Sequence, residues 1–395
     1  MYKNDNLQKF FKDSSREVDT DRIRGCLFGG AVGDALGYAV EFLDEETIAE
    51  RYGKDGIREY QISEKCGKAL ISDDTQMSLF TADGLLVADT KGKVAGIQVW
   101  PKSYVAMAYQ DWLRTQEMSY EDFRKAMDSG EKKFHCVSWL SDVPELYSRR
   151  SPGNTCLSAL NARKRDDFFA EDYTKATVNN SKGCGAVMRV APLALVYHQM
   201  NMRRLDSESA QIAAITHGHS LGYMPASVLT HIINRIVFPK EELTLEEMII
   251  EARNKAVEIF EGDEHIKELT DLIDLAMELA KNDAPDLENI HQLGEGWVAE
   301  ETLAIAIYCA LKYRDDFSKG VITAVNHNGD SDSTGAITGN IIGAIVGFEN
   351  IEEKWKKNLE LSDVILELAD DLCTWATMDE QNKCDDPNWL KKYMR

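Results

Sequence analysis

Glycine recurs at every fourth position in two remote stretches of this chain. Gly25, Gly29, Gly33 and Gly37 lie in GCLFGGAVGDALG, and Gly335, Gly339, Gly343 and Gly347 in GAITGNIIGAIVG. On a helix that period lays each set along one face as a stripe without side chains. A glycine inside a helix costs about 0.5–1 kcal/mol relative to alanine. Eight of them are tolerable only where close helix–helix contact offsets the loss. The residues between the glycines are apolar, which argues against a flexible loop. The spacing predicts two tightly packed central helices within one all-α domain.

Other segments carry the same period. TLEEMIIEARNKAVEIF opens with the Thr244–Glu247 capping-box spacing and repeats apolar residues every three or four. HIKELTDLIDLAMELAKN places Ile266, Leu269, Leu272, Ile273, Ala276 and Leu279 on one side. ETLAIAIYCALKY is apolar nearly all round, as a helix deep in a core would be. Alternating strand patterns are scarce. Residues 1–20 read as an N-terminal appendage and residues 21–395 as a single domain.

Composition excludes several classes. A formal charge of −22 is wrong for a nucleic-acid-binding face, which needs clustered Lys and Arg. The eight cysteines are scattered without a C-x-x-C pair, the pattern of reduced thiols in a cytoplasm rather than of disulfides or a zinc site. The first residues lack an apolar signal core, and no apolar run reaches the roughly 18 residues of a membrane span. A cytoplasmic protein is expected, with no nucleic-acid or membrane partner.

Two acidic clusters stand ahead of buried helices. Ser72, Asp73 and Asp74 open the apolar-periodic run DDTQMSLFTADGLL, and Asp330, Asp332 and Ser333 precede the second glycine stripe. A helix N-cap accounts for one such residue, not for three in each place. Carboxylate and hydroxyl oxygens suit hard cations such as Mg²⁺ or Mn²⁺. Brought together, the two sets could hold a pair of ions about 3.5–4 Å apart. Crowded carboxylates without metal would repel and raise one another's pKa. An EF-hand loop from Asp330 fails, because Ile341 occupies its twelfth position. DSDST also fits the D-x-D-x-T pattern of aspartyl-phosphate phosphatases, which place it after a buried parallel strand. The run Ser181, Lys182, Gly183, Cys184, Gly185 leads into an apolar segment; such a turn serves either a phosphate or a purely structural bend. His217 and His219 read more simply as buried, hydrogen-bonded histidines than as ligands.

Together these runs resemble the ADP-ribosylglycohydrolase family, over roughly Arg22 to Trp375. The resemblance rests on GCLFGGAVGDALGYAVEF, SDDTQMSLFTADGL, SKGCGAVMRVAPLAL, THGHSLGY, GWVAEETLAIAIYCAL and NGDSDSTGAITGNIIGA, all in family order. It implies a compact orthogonal helical bundle with two Mg²⁺ or Mn²⁺ ions in a cleft. The metal ligands would be Ser72, Asp73 and Asp74 on one side and Asp330, Asp332 and Ser333 on the other. Ser181–Gly185 would cradle the diphosphate, His217 would touch the distal ribose, and Gly294–Trp297, with Gly296 and Trp297, would face the adenosine. Asp332, Glu41 and Asp111 are the candidates for the catalytic base. The implied activity is hydrolysis of ADP-ribose from a modified protein side chain, arginine first. The alternatives are an immunity-type protein that binds and blocks an ADP-ribosyltransferase, and the phosphatase.

Overall fold

The computed structural model describes residues 18–129, 135–196, 200–379 and 383–395. The appendage at residues 1–20 therefore lies almost wholly outside the described residues. Those described form helices and irregular loops. No strand is present among them, only the isolated bridges Ile62–Ala69, Ala69–Leu359 and Gly183–Val298. The helices that build the site are α1 (Thr20–Gly37), α2 (Asp73–Ala95), α3 (Pro101–Glu117), α4 (Ser220–Val237), α5 (Ala299–Tyr313), α6 (Phe317–Val325) and α7 (Ser331–Val346). The Thr244–Glu247 capping box forms at the start of the helix Leu245–Ile259. α5 is buried continuously from Thr302 to Ala310, as its all-round apolar pattern demands. None of the described helices is long and apolar enough to cross a membrane.

The two glycine stripes face each other. A Cβ on Gly25 would lie 2.2 Å from the Gly343 carbonyl oxygen, one on Gly29 2.4 Å from that of Gly339, and one on Gly33 1.9 Å from that of Gly335. α1 and α7 are thus antiparallel and in backbone contact. In the same seam Asn340 Nδ2 donates to the Cys26 carbonyl at 2.8 Å. Gly347 departs from the stripe: its φ of +79° ends α7 as the C-cap. The consequence for function is positional. An antiparallel pair sets the last turn of α1 beside the first turn of α7, where the acidic residues begin.

At Gly33 the three nearest atoms are all backbone of Gly335 and Ala336, so no side chain there could move aside. Gly33→Ala is expected to destabilise the protein by about 3 kcal/mol or more, beyond the usual overpacking range. Chemical denaturation measures this. An unchanged midpoint would show that α1 and α7 are not packed as described.

Candidate metal centre

Three turns converge where α1 ends. The first is the N-terminus of α2. Ser72 is its N-cap, and its hydroxyl accepts from the Asp74 N–H at 3.1 Å. Asp34 on α1 anchors this turn. Its carboxylate accepts from the Ser72 N–H at 3.0 and 3.1 Å, from the Thr75 N–H at 3.0 Å, and from the Thr75 hydroxyl. The second is the N-terminus of α7. Asp330 occupies the N-cap position but makes no side-chain capping bond; its Oδ2 accepts instead from the Cys184 thiol. Gly329, at φ +118°, lets this turn approach the Glu295 carbonyl, to which the Asp330 N–H donates at 2.9 Å. Asp332 Oδ1 accepts from the Ser333 N–H at 2.9 Å. The third turn follows α1 and carries Glu41.

Glu41, Asp330 and Asp332 are buried, and each offers an oxygen lying within 4.8 Å of the others'. Asp73 and Asp74 belong to the same electrostatic unit. Burial, then the charge of Asp332, pushes the carboxyls of Asp73, Asp74 and Asp330 well above the usual range. The same two causes raise Glu41 to about 10 and Asp34 to about 7. Glu41 Oε2 and Asp74 Oδ2 are buried without a hydrogen-bond partner. Buried carboxylates that raise one another and leave oxygens unsatisfied suit a hard divalent cation, which would supply the missing positive charge. The set of oxygens fits the metal that the sequence led us to expect.

Around this cluster the other candidates divide. The loop Ser181–Gly185 runs alongside the 296–299 segment: the Cys184 N–H donates to the Trp297 carbonyl at 3.2 Å and the Ala299 N–H to the Lys182 carbonyl at 2.9 Å. Gly296 (φ +79°) sits against Asp330 and Thr334. The phosphate-cradle expectation is weakened here. The Ser181 and Gly183 N–H groups are engaged by Asn179 Oδ1 and Ser181 Oγ, and Lys182 Nζ is paired with Glu300 and Glu268. The segment that follows, Cys184–Arg189, is a 3-10 turn rather than the start of an α-helix. His217 is buried beneath the loop: a Cβ on Gly183 would lie 3.3 Å from its Nε2. Its Nδ1 pairs with Thr216 Oγ1 at 2.8 Å, and burial, then the nearby Arg189 charge, lowers its pKa to about 3. His219 caps α4 by accepting from the Leu221 N–H.

Asp111, on α3, is not brought into the cluster's hydrogen bonding. One oxygen accepts from the Val137 and Ser138 N–H groups at 2.8 and 2.9 Å, and the other is paired with Arg114. It secures the 136–138 loop. The phosphatase reading is overturned, because α6, not a strand, precedes DSDST, and the motif opens α7. Two residues escaped the sequence reading. Asp34, fully buried within a glycine stripe, was signalled only by a charge on an otherwise apolar face. Phe42, next to Glu41, is 72% exposed and stacks on Trp297 with ring centroids 6.2 Å apart.

A family model described as ADP-ribosylglycohydrolase matches residues 15–382. The chain belongs to the ADP-ribosylglycohydrolase family. Among its relatives, human ADP-ribosylhydrolase ARH3 is 23% identical over 367 residues, covering 86% of this chain and 89% of that protein. ADP-ribosylarginine hydrolase Tri1 of Serratia proteamaculans is 23% identical over 354 residues, covering 89% of this chain and 79% of that one. A solved ADP-ribosylglycohydrolase-related protein complex superposes with a TM-score of 0.61 at 24% identity, covering 92% of this chain and 100% of the matched chain. That last likeness supports the all-α fold. As a member of the ADP-ribosylglycohydrolase family, the chain is a hydrolase of glycosyl bonds.

Proposed function

We propose that this enzyme hydrolyses the bond between the anomeric carbon of ADP-ribose and a modified protein side chain, arginine first, using two divalent cations, Mg²⁺ or Mn²⁺. The observation that carries the metal reading is the grouping of Glu41, Asp330 and Asp332, electrostatically joined to Asp73 and Asp74. The arginine preference draws on the likeness to the ADP-ribosylarginine hydrolase of Serratia proteamaculans. Asp73, Asp74, Asp330 and Asp332, with the Ser72 and Ser333 hydroxyls, would hold the ions. Bound there, they would supply positive charge toward the ribose hydroxyls and lower the pKa of an attacking water.

The protein's own contribution is positional. Asp34 holds the Ser72–Thr75 turn in register with α1. The Ser333 N–H fixes one oxygen of Asp332. Glu41 keeps a buried oxygen without a partner; once bound cations displace the proton it otherwise holds, it is the candidate we favour to take the proton of water. Asp332 is the second choice. Asp111, tied to Arg114 and the 137–138 backbone, is the third choice. Phe42, beside Glu41 in the chain, stacks on Trp297, and the diphosphate and adenosine would lie along the adjacent 181–185 and 294–297 loops. The transferase-blocking alternative leans on residues 1–20, most of which lie outside the described residues.

The test is a panel of arginine-, serine- and O-acetyl-linked ADP-ribose substrates with Mg²⁺ or Mn²⁺ against a chelated control. Release of ADP-ribose from the arginine-linked substrate, lost on chelation and restored by metal, is the expected result. Equal turnover in chelator would remove the ions from the mechanism, and release from the serine-linked substrate alone would reassign the acceptor.

A further inference from the structure

Glu301 stands at the third position of α5, where a glutamate ordinarily reaches back to the N–H of the helix's own cap residue. Here the cap residue, Val298, has no side-chain capping bond, and Glu301 reaches past it. Its Oε2 accepts from the N–H groups of Glu295 and Gly296 at 3.1 and 3.2 Å. Gly294, at φ +120°, makes room for this, since a Cβ there would lie 2.3 Å from the Glu301 carboxyl carbon. The Gly296 N–H and the Glu295 carbonyl belong to one planar peptide unit, so holding one end aims the other. That carbonyl accepts from the Asp330 N–H at 2.9 Å. The next carbonyl, of Gly296, accepts from Thr302 Oγ1 at 2.6 Å, and a Cβ on Gly296 would lie 3.6 Å from that of Asp330. A single peptide thus joins the 294–297 loop to the turn that carries Asp330.

We propose that Glu301 is a positioning residue that makes the 294–297 loop a link between nucleotide and metal, so that an adenosine on this loop and a divalent cation at Asp330 tighten each other's binding. The inference rests on the metal and adenosine readings above and deepens them by joining them. A carboxylate that accepts backbone N–H groups forms charge-assisted bonds, stronger than neutral ones. With Glu301 in place, the 295–296 peptide is held at both ends, by α5 and by the Asp330 turn. A ligand packed on the loop orders that peptide further, and the Asp330 turn is ordered with it. The cation then meets a ligand already in position. Coupling between two binding sites is reciprocal, so the cation favours adenosine by the same factor.

The experiment measures Mn²⁺ affinity of the full-length protein by paramagnetic resonance, with and without saturating adenosine. Adenosine is the probe because it lacks the diphosphate and second ribose through which ADP-ribose would reach the ions directly. Wild type is compared with Glu301→Gln, which keeps an acceptor oxygen, and with Glu301→Ala, which removes it. Gly294→Ala displaces the same carboxylate from outside α5, so the test stands even where Glu301→Ala fails to fold. Adenosine is expected to tighten Mn²⁺ binding by about fivefold or more in wild type and Glu301→Gln, and to leave it unchanged in the two alanine variants. A glutamate with a merely structural role would weaken each ligand alone and preserve the ratio, and that outcome overturns the proposal. Independent binding of adenosine and Mn²⁺ to wild type overturns it as well. Failure of Mn²⁺ to bind wild type would instead overturn the metal centre, and failure of adenosine to bind would overturn the adenosine reading; the link falls with either, and each failure is seen separately.

Discussion

Asp332→Asn is expected to lower metal-dependent hydrolysis by about two to four orders of magnitude, the range for losing a positioned charged or proton-transferring group. The fold should survive. Asparagine has the same shape, and its oxygen can still accept from the Ser333 N–H, now 2.9 Å from Asp332 Oδ1. A second readout separates a role at the centre of the cluster from a merely local one. After burial, the charge of Asp332 is the leading cause that raises Glu41, Asp73, Asp74 and Asp330. Removing that charge relieves repulsion, so the metal-free variant should melt at a higher temperature than metal-free wild type. Added Mg²⁺ or Mn²⁺ should then stabilise it less, because binding contributes RT ln(1 + [L]/Kd) and Kd has risen. Turnover and metal-induced stabilisation both equal to wild type would exclude Asp332 from the site.

What could be read from the letters follows from what each signal encodes. Glycine every fourth residue has one economical explanation, backbone contact, and the stripes do meet along α1 and α7. Which helix each stripe would meet was not encoded locally, since any bare face could receive it. Gly347 shows the limit of the pattern: it keeps the spacing yet serves as a C-cap at positive φ. The acid clusters were legible because one cap cannot use three oxygen-bearing side chains. Ser72 does cap α2, while Asp330 does not cap α7, a division that depends on loop geometry. Asp34 was hidden because its partners, Ser72 and Thr75, lie some forty residues away and meet it only through the fold. Asp111 and Lys182 show the converse. Their residue types suit catalysis and phosphate binding, and the fold gives each of them protein partners: Arg114, Val137 and Ser138 for the first, Glu300 and Glu268 for the second. A charged residue declares its chemistry in sequence; its partners are a property of the packed chain.

The metal-free enzyme should lose stability as pH rises across the neutral range, opposite to the usual effect of native carboxylates. In the unfolded chain the acidic side chains titrate at about 4. In the folded protein Glu41 holds its proton to about 10 and Asp34 to about 7, while Asp73, Asp74 and Asp330 are also raised, in each case by burial first and then, apart from any hydrogen bonds, by neighbouring acids. Between the two values the folded state binds more protons than the unfolded state, and stability then falls with increasing pH. The stabilisation is complete at low pH and is lost as each folded-state value is passed. Divalent cations would reverse the sign at Glu41, Asp73, Asp74 and Asp330, because they bind ionised carboxylates and displace the protons. Thermal melts at about pH 5, 7 and 9, with chelator and with saturating Mg²⁺ or Mn²⁺, test this directly. The chelated curve should fall with pH and the metal-induced increment should grow. Other buried acids contribute to the chelated slope, notably Asp83, raised to about 8 by burial first and then by the charge of Asp111, against a lowering hydrogen bond from Ser138. They face no ligand of the cluster, so their effect is common to both curves and cancels in the difference. A metal-induced increment that stays constant from acid to alkaline pH would mean that the five carboxylates do not share protons and cations at one site, and the centre would have to be sought elsewhere in the molecule.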